Sequence, residues 1–462
     1  MDYTLCDANG QCFFDENNEF LLVPSSLYGF HNTETTKEVD KSGRSIYILH
    51  GLLNEQEGDR KCPICGAKMY VNSKHEIDIH HLNIGRAKTL VRFPHVQYRC
   101  SRKGCKHTAT SCIPFKTEDH RITYELHQYV CDLLAHGEYS LKAISRITGL
   151  CINVVKDIDK ARLKELYTVG GTKLIKPEQQ ATMLGIDEFL LHKGRQYATH
   201  IVDMSTGHIL WIGKGRKKQI VYDFIEHVGM EWMKSVKAVA CDMNSDFEEA
   251  FLEKCPWLKI VFDHFHIVKH LNDAINSIRR DEYKRLCENG DIEAANTLCG
   301  SKYILTSNRE TLKRKDDEAA NGRELRKESK LFGISSITRK GGHEDHYNKI
   351  LAENELLSTA DIVKEKLRHA YTHDNEYDMR VEINEIADIC MYDVDNRHLR
   401  RFGKLLKDHI DGIITYATYH ISTGKVEGIN NRVKTLRRVG YGYPDDEYFF
   451  LKLIDMSRSK RK

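Results

Sequence analysis

The chain has 462 residues, 30% of them charged and 40% hydrophobic, with 30 Gly and 7 Pro. That length suits several domains with at least one sizeable core, and that composition excludes collagenous, low-complexity and wholly disordered chains. Lys and Arg number 70 against 67 Asp and Glu, a net charge of +3, so bulk charge points to no nucleic-acid partner and only local clusters can. The longest run without Asp, Glu, Lys or Arg, Phe20–Thr33, falls short of the ~20 apolar residues of a membrane helix. Met1–Gly10 lacks the basic-then-apolar order of a secretory signal. The expected compartment is a reducing cytosol without membrane attachment, where the 14 cysteines remain thiols.

Residues 1–57 form a segment of unclear role, with one strand expected at Ser45–Leu53. Residues 58–115 hold two cysteine pairs, Cys62 with Cys65 and Cys100 with Cys105, and a strand at Val91–Tyr98. Four soft thiolates close a tetrahedral Zn²⁺ site with no open position, so a zinc ribbon with one structural ion is expected. The alternatives are four unmetallated thiols in a small core, or one of His75, His80, His81 and His107 in place of a cysteine. Binding requires thiolates, which ties this module's stability to metal and pH.

Residues 116–168 read as helical. Ile122–His136 carries apolar residues at helical spacing, and Ser140–Thr148 and Asn153–Leu163 are two short helices separated by Gly149, Leu150 and Cys151. That is helix-turn-helix length, with a core of Ala143, Ile144, Ile147, Val154, Val155 and Ile158. Asn153, Lys156 and Lys160 then face outward, where a recognition helix meets the major groove. Such helix pairs also occur in proteins that touch no DNA. Gly170, Gly171 and Pro177 mark a linker.

Strands are expected at Thr182–Leu191, Gln196–Asp203 and Ile209–Gly213, with short turns that suit antiparallel neighbours. A helix at Ile220–Val228, a short strand at Val236–Cys241, a helix at Ser245–Lys254 and a strand at Leu258–Phe262 follow. This is the element order of an RNase H-like α/β core with a mixed sheet, over 181–266 and 420–456, interrupted by a charged helical insertion at 267–419. Asp187 lies inside the first strand and Asp242 ends the fourth; such acids are costly to bury without a cation or hydrogen bonds. Glu427 begins a helix over Thr423–Arg438 whose apolar stripe is Val426, Ile429, Val433 and Leu436. Glu427, Asn430, Asn431, Lys434 and Arg438 share an adjacent face, and Lys425, Arg432, Lys434, Arg437 and Arg438 would attract phosphates. Three converging carboxylates can hold two hard divalent cations, Mg²⁺ or Mn²⁺, for in-line phosphoryl transfer.

Other features carry weaker signals. Asp263 and His266 can position substrate or water near the site, or simply cap a strand and pack a helix. Lys214, Arg216, Lys217 and Lys218 form a basic turn, Arg309–Lys330 alternates in sign, and Tyr441 and Tyr443 can stack on bases or pack on the core.

The sequence resembles the DDE transposases of bacterial insertion sequences, specifically the ISL group, over residues 60–456. The resemblance rests on Cys62-Pro63-Ile64-Cys65-Gly66, on Gly185-Ile186-Asp187-Glu188-Phe189, on Asp263-His264-Phe265-His266-Ile267-Val268-Lys269, and on Ser422–Tyr443 with Glu427-Gly428-Ile429-Asn430 intact. Two departures stand out: His264 replaces a usual Arg, and Gly424 follows Thr423 where the family shows Asn. The resemblance implies a triad of Asp187, Asp242 and Glu427 that cleaves element ends and joins them to target DNA, with terminal inverted repeats bound by residues 60–165. DNA contacts would include Asn153, Lys156, Lys160, Lys425, Asn430, Lys434, Arg437 and Arg438. It also implies an oligomer on DNA, most simply a dimer, at the nucleoid of a bacterial cytoplasm. The rivals are a transposase-derived DNA-binding regulator that no longer cuts, and a nuclease of the same fold without strand transfer.

Overall fold

The computed structural model describes residues 27–41, 43–55, 58–243, 245–321, 341–421, 424–440 and 443–458; the side chains of 245 and 425–427 lie outside this description. Most of the N-terminal segment's first half, residues 1–26, also lies outside it, as do Tyr441 and the 322–330 part of the alternating charge run. The chain divides into two compact units, Met1–Ile175 with Leu436–Lys462, and Lys176–Thr435. The sequence reading grouped 420–456 with the catalytic strands, and the contacts group Leu436–Lys462 with the N-terminal unit instead.

In the first unit, strands β1 (Phe30–Val39), β2 (Ser45–Leu53), β3 (Met69–Ile84) and β4 (Ala87–Cys100) form a sheet in the order β1-β2-β4-β3, with β5 (Thr108–Thr110) also on β4. The β3–β4 hairpin is long because alternate residues bury one face: Ile79, Val91 and Phe93 are fully enclosed. They meet Phe30 and Phe115, whose rings lie 6.0 and 5.9 Å from that of Phe93. β1 and β2 therefore extend the cysteine-bearing sheet, with β2 parallel to β4. An isolated strand at 45–53 could not reveal this from sequence, since its partner lies forty residues on.

Helices α1 (Tyr124–Ala135), α2 (Leu141–Thr148) and α3 (Ile152–Tyr167) follow. Ser140 accepts from Ala143 N–H at the start of α2, and Gly149 ends it with φ 75° and ψ 8°, a left-handed conformation that favours glycine. The turn expected between the two helices is present, though Ile147 is exposed rather than in the core. A short pair, β6 (Thr168–Val169) and β7 (Lys173–Leu174), closes the region.

The final helix, Asp446–Arg458, packs on α3 through Leu163, Tyr448 and Leu451. Asp159 of α3 is fully buried between them. Arg162 Nη2 and Lys452 Nζ each lie 3.0 Å from its carboxylate, and Tyr448 donates a hydrogen bond to it at 2.7 Å. Removing one partner of such a cluster leaves uncompensated buried charge.

In the second unit, β8 (Met183–His192), β9 (Gln196–Asp203), β10 (Ile209–Lys214), β11 (Ala238–Cys241) and β12 (Lys259–Phe262) form a mixed sheet in the order β10-β9-β8-β11-β12. β8 to β10 are antiparallel, while β11 pairs parallel with β8 and β12 parallel with β11, as an RNase H-like core requires. Each strand starts and stops within two residues of its expectation. One sheet face contributes Leu184, Ile186, Ile201, Val239 and Phe262 to a core shared with Val221 and Phe224 of α4 (Lys218–Val228) and Phe251 of α6 (Ser245–Lys254). α5 is the short turn Met230–Met233. The other face packs Ala238, Ala240 and Val261 with Met204 and Ile421.

α7 (His264–Glu288) leaves β12 directly, with Asp263 accepting from Phe265 N–H as its N-cap. The insertion continues as α8 (Ile292–Leu298), α9 (Lys302–Thr306), α10 (Arg309–Ala320), α11 (His343–Glu353), α12 (Glu355–Ala370) and α13 (Glu376–Asp388). A π-helical turn at Ile389–Asp393 leads into α14 (Arg397–Asp408), α15 (Ile410–Ile414) and α16 (Tyr416–Tyr419). α17 (Gly424–Val439) then returns the chain to the sheet side. Among the described residues no helix is long and apolar enough to cross a membrane.

The buried cluster gives the first test. Asp159→Ala removes the ion pair of Lys452, leaves Arg162 with Asp455 and is expected to cost about 3 kcal/mol. The loss should appear as a lower urea midpoint of the N-terminal unit, and an unchanged midpoint would refute the role given to Asp159.

Candidate active site

The pairing of β11 on β8 decides which acids can meet. Val239 lies opposite Leu184 and Ala240 opposite Gly185 in a parallel register. Two more residues along each strand bring Asp242 beside Asp187. Asp187 sits mid-strand, directly across from His200 of β9.

Five side chains converge here: Asp187, Asn430, Asp242, His266 and Asp263. Glu188 N–H donates to Asp187 Oδ1 at 2.7 Å, and Asn430 Nδ2 donates to Asp187 Oδ2 at 2.5 Å. His266 Nδ1 stands 3.0 Å from Asp242 Oδ1 and 3.8 Å from Asp263 Oδ2. At 3.0 Å that contact has ion-pair distance but lies off the axis of a good hydrogen bond, and Nδ1 makes no such bond among the described residues.

The electrostatics follow from burial and these partners. Burial pushes the Asp187 carboxyl above the ordinary carboxylate range, against the Glu188 N–H, the Asn430 amide and His266, and Asp242 pushes it further. Burial acts the same way on Asp242, but His266 outweighs it and holds Asp242 below its usual value. The same contact raises His266, against its own burial. His200 is enclosed, and burial pushes it down to about 4, so it stays neutral beside Asp187.

α17 brings the third element. Ile429 and Val433 are buried, as the expected stripe requires, and Asn430 reaches Asp187. Position 427 is one turn before Asn430, and residues three apart share a helix face. The side chains of Glu427 and Lys425 lie outside the described residues. Lys434 and Arg438 are exposed. Arg437 instead stacks its guanidinium 5.4 Å from the Phe449 ring, and burial lowers it.

The cysteine pairs also converge. Cys62 and Cys105 sulfurs lie 3.8 Å apart, Cys65 and Cys100 sulfurs 3.5 Å apart, and all four fall within 4.8 Å of one another. A tetrahedral zinc with Zn–S near 2.3 Å needs sulfurs about 3.8 Å apart, so the four fit such an ion. None forms a disulfide. The Ala67 N–H, then the neighbouring thiols, pull Cys65 down to about 7. His80 and His81 are not in this group; they bond Asn83 and Thr123.

Over residues 184–453, more than half of the chain, the sequence matches the profile of the ISL3-type DDE transposases, described as "Transposase". The chain belongs to this transposase family. It is 27% identical over 405 residues to the transposase for insertion sequence element IS1001 of Bordetella parapertussis, covering 85% of this chain and 87% of that one. It is also 23% identical over 282 residues, 56% of each chain, to the transposase for insertion sequence element IS1557 of Mycobacterium tuberculosis.

Several positions singled out in the transposase sequence have specific surroundings. His264, where the family usually has Arg, is packed 3.9 Å from the Tyr371 ring and 6.1 Å from the Tyr416 ring, and burial lowers it. Lys160 pairs with Asp445 and Glu447, each at 2.9 Å, and Lys156 approaches Asp445 at 3.6 Å and the Tyr448 ring at 5.6 Å. These two lysines were expected to face outward; Asn153 alone of the three is exposed. In the basic turn, Lys218 pairs with Glu249 and Glu253, and Arg216 lies over the Tyr197 ring at 4.9 Å. Tyr443 packs on Tyr448 and Phe449. Sequence reasoning missed the bond from Asn430 to Asp187, which it counted as a DNA contact, because helix periodicity gives a face and not what the face meets.

Two aromatic rings flank His264, which generates a prediction. His264→Ala removes their contact and is expected to cost roughly 2 kcal/mol. A thermal midpoint indistinguishable from the parent would show that the His264 ring is not a packing element.

Proposed function

We propose that this transposase binds the terminal inverted repeats of its element through its N-terminal unit. We propose further that Asp187, Asp242 and Glu427 form the DDE triad that cuts DNA and joins the freed 3′-hydroxyl to a target. The supporting observation is the parallel ladder that ends at Ala240 and Gly185, two residues short of Asp242 and Asp187, with Asn430, one turn after position 427, bonded to Asp187.

The residues suit hard divalent cations, Mg²⁺ or Mn²⁺. Two carboxylates stand together, one of them raised by burial, and Asn430 Oδ1 is buried with no hydrogen-bond partner among the described residues. A pair of such ions, when bound, supplies activation of the attacking oxygen and stabilisation of the leaving one in displacement at phosphorus. The protein's part is to hold and orient. Asn430 fixes the Asp187 carboxylate, His266 fixes that of Asp242, and Asp263 secures the first turn of α7 from which His266 projects. Both cutting and joining are the same displacement at phosphorus, so one triad serves both steps. No protein nucleophile is needed.

For DNA recognition, exposed Asn153 on α3 is the proposed base-reading residue, with Lys434 and Arg438 of α17, and Lys425, as phosphate contacts. Lys156 and Lys160 would have to leave Asp445 and Glu447 to take part. A single zinc ion in the Cys62, Cys65, Cys100 and Cys105 group would order the ribbon end of the sheet. Joining two element ends in one event calls for an oligomer on DNA, and the work is that of a bacterial cytoplasmic protein at the nucleoid.

The decisive experiment uses element-end DNA and Mg²⁺. Asp242→Asn is expected to reduce cleavage roughly a thousandfold with DNA binding intact; cleavage near the parent rate rejects the triad. Pre-cut ends with free 3′-hydroxyls should be joined to a target by the parent protein, and a failure to join them would leave only a nuclease. His266→Ala should raise the Mg²⁺ concentration for half-maximal cleavage by about 10- to 100-fold, and an unchanged requirement removes His266 from the site. Cys62→Ser with Cys65→Ser should release one tightly held zinc and weaken end binding; full binding by a protein without that zinc would separate the ribbon from recognition.

A further inference from the structure

A second group of metal-ligating side chains lies in the helical insertion, outside the proposed active site. His369 is in the last turn of α12, His373 in the turn that follows, and Glu382 in the second turn of α13. Their ligand atoms all fall within 4.8 Å of one another. His369 Nδ1 is 2.8 Å and His373 Nε2 2.7 Å from the same carboxylate oxygen, Glu382 Oε2. The two imidazole rings stand 5.2 Å apart and nearly perpendicular, so they approach that oxygen from different directions. Cations near these residues in sequence are engaged elsewhere: Lys366 with Glu385, Arg368 with Glu310 and Glu365, and Arg380 with Asp411.

We propose that His369, His373 and Glu382 bind one transition-metal ion of the zinc class, distinct from any ion held by the cysteines. Two imidazole nitrogens and one carboxylate oxygen are a zinc-type donor set, whereas Mg²⁺ takes oxygen ligands at a stricter geometry. Three protein ligands leave the fourth tetrahedral position to water. Glu382 is largely enclosed, at 13% exposure, while His369 is open to solvent at 66%, which gives the ion an entry path. Without an ion the three side chains would form a hydrogen-bonded group, which is the competing account.

The placement gives the ion a structural task. Tyr371 lies in the chain between the two histidines, and its ring packs against His264 and Tyr416. His264 opens α7, two residues before His266. An ion joining the end of α12 to α13 would fix the turn that presents Tyr371 to the first turn of α7. The proposal is independent of the DDE assignment, since its readout is zinc binding.

The test uses the full-length protein, stripped of metal by a chelator and titrated with Zn²⁺ at buffered free concentrations over excess Mg²⁺. The parent should take up two equivalents, and His369→Ala with His373→Ala only one. Glu382→Gln, which keeps the shape of the side chain, should raise the free-zinc midpoint of the second equivalent at least about a hundredfold. Cys62→Ser with Cys65→Ser should retain the histidine-dependent equivalent. With Co²⁺ as the probe, that equivalent should give visible bands without intense thiolate charge transfer. Equal zinc uptake and equal midpoints in the parent and the histidine variant would overturn the proposal. So would a parent that binds a single equivalent lost wholly with the cysteines.

Discussion

The parallel pairing of β11 with β8 is the constraint from which the site follows. A parallel ladder keeps residue number advancing in the same direction on both strands, so an acid in the middle of a long strand can face one just past the end of a short neighbour. β8 runs ten residues and β11 four, and Asp242 is the first residue beyond the shorter. An antiparallel β11 would carry Asp242 to the opposite edge of the sheet. The alternation of helices and strands after β10 makes the parallel arrangement possible, because a crossover through α4 and α5 is needed to return the chain in the same direction.

Placing two acids side by side raises a charge problem that the surrounding residues solve unequally. Asp242 has an imidazole at contact distance and is held ionised. Asp187 is more deeply set, and its neighbours do not offset the cost of burial, so it lies above its ordinary range. His200, directly across the ladder, is neutral and adds no compensation. Asn430 Oδ1, without a hydrogen-bond partner among the described residues, adds another electron-rich atom at the same place. A site that gathers acceptors and leaves one acid under-compensated is what a divalent cation would complete, and this is the physical content of the proposed triad.

Much of this was legible in the sequence, for identifiable reasons. The strands of the second unit were readable because short apolar runs alternate with glycine-bearing turns, and the acids stood out because they interrupt those runs at 187 and 242. The four cysteines were readable from spacing alone. Asp159 was not, because its partners Tyr448 and Lys452 lie almost three hundred residues away and nothing local marks a buried acid on an amphipathic helix. The same long-range pairing explains Lys156 and Lys160, whose outward-facing positions on α3 are met by Asp445 and Glu447. The role of residues 30–53 was hidden for a related reason: register between β2 and β4 is a tertiary property.

The basic residues show how formal charge and available charge differ. With 70 Lys and Arg against 67 acids, most cations can find a partner within the chain, and two in the expected DNA-facing set, Lys156 and Lys160, do. An ion pair on the surface contributes only about 0–1 kcal/mol, so phosphate could displace Glu447 from Lys160 at little cost. Arg437 is different: its guanidinium is half-buried on the Phe449 ring, and moving it would expose that ring as well as break the contact. His264 belongs with Arg437 rather than with Lys160. Packed against Tyr371 and Tyr416 and lowered by burial, it offers no positive charge to a phosphate and forms part of an aromatic wall. That wall is built by the insertion, since Tyr371 follows α12 and Tyr416 opens α16. The rings that follow α12 and open α16 thus stand in direct contact with the first turn of α7, the turn that carries His266.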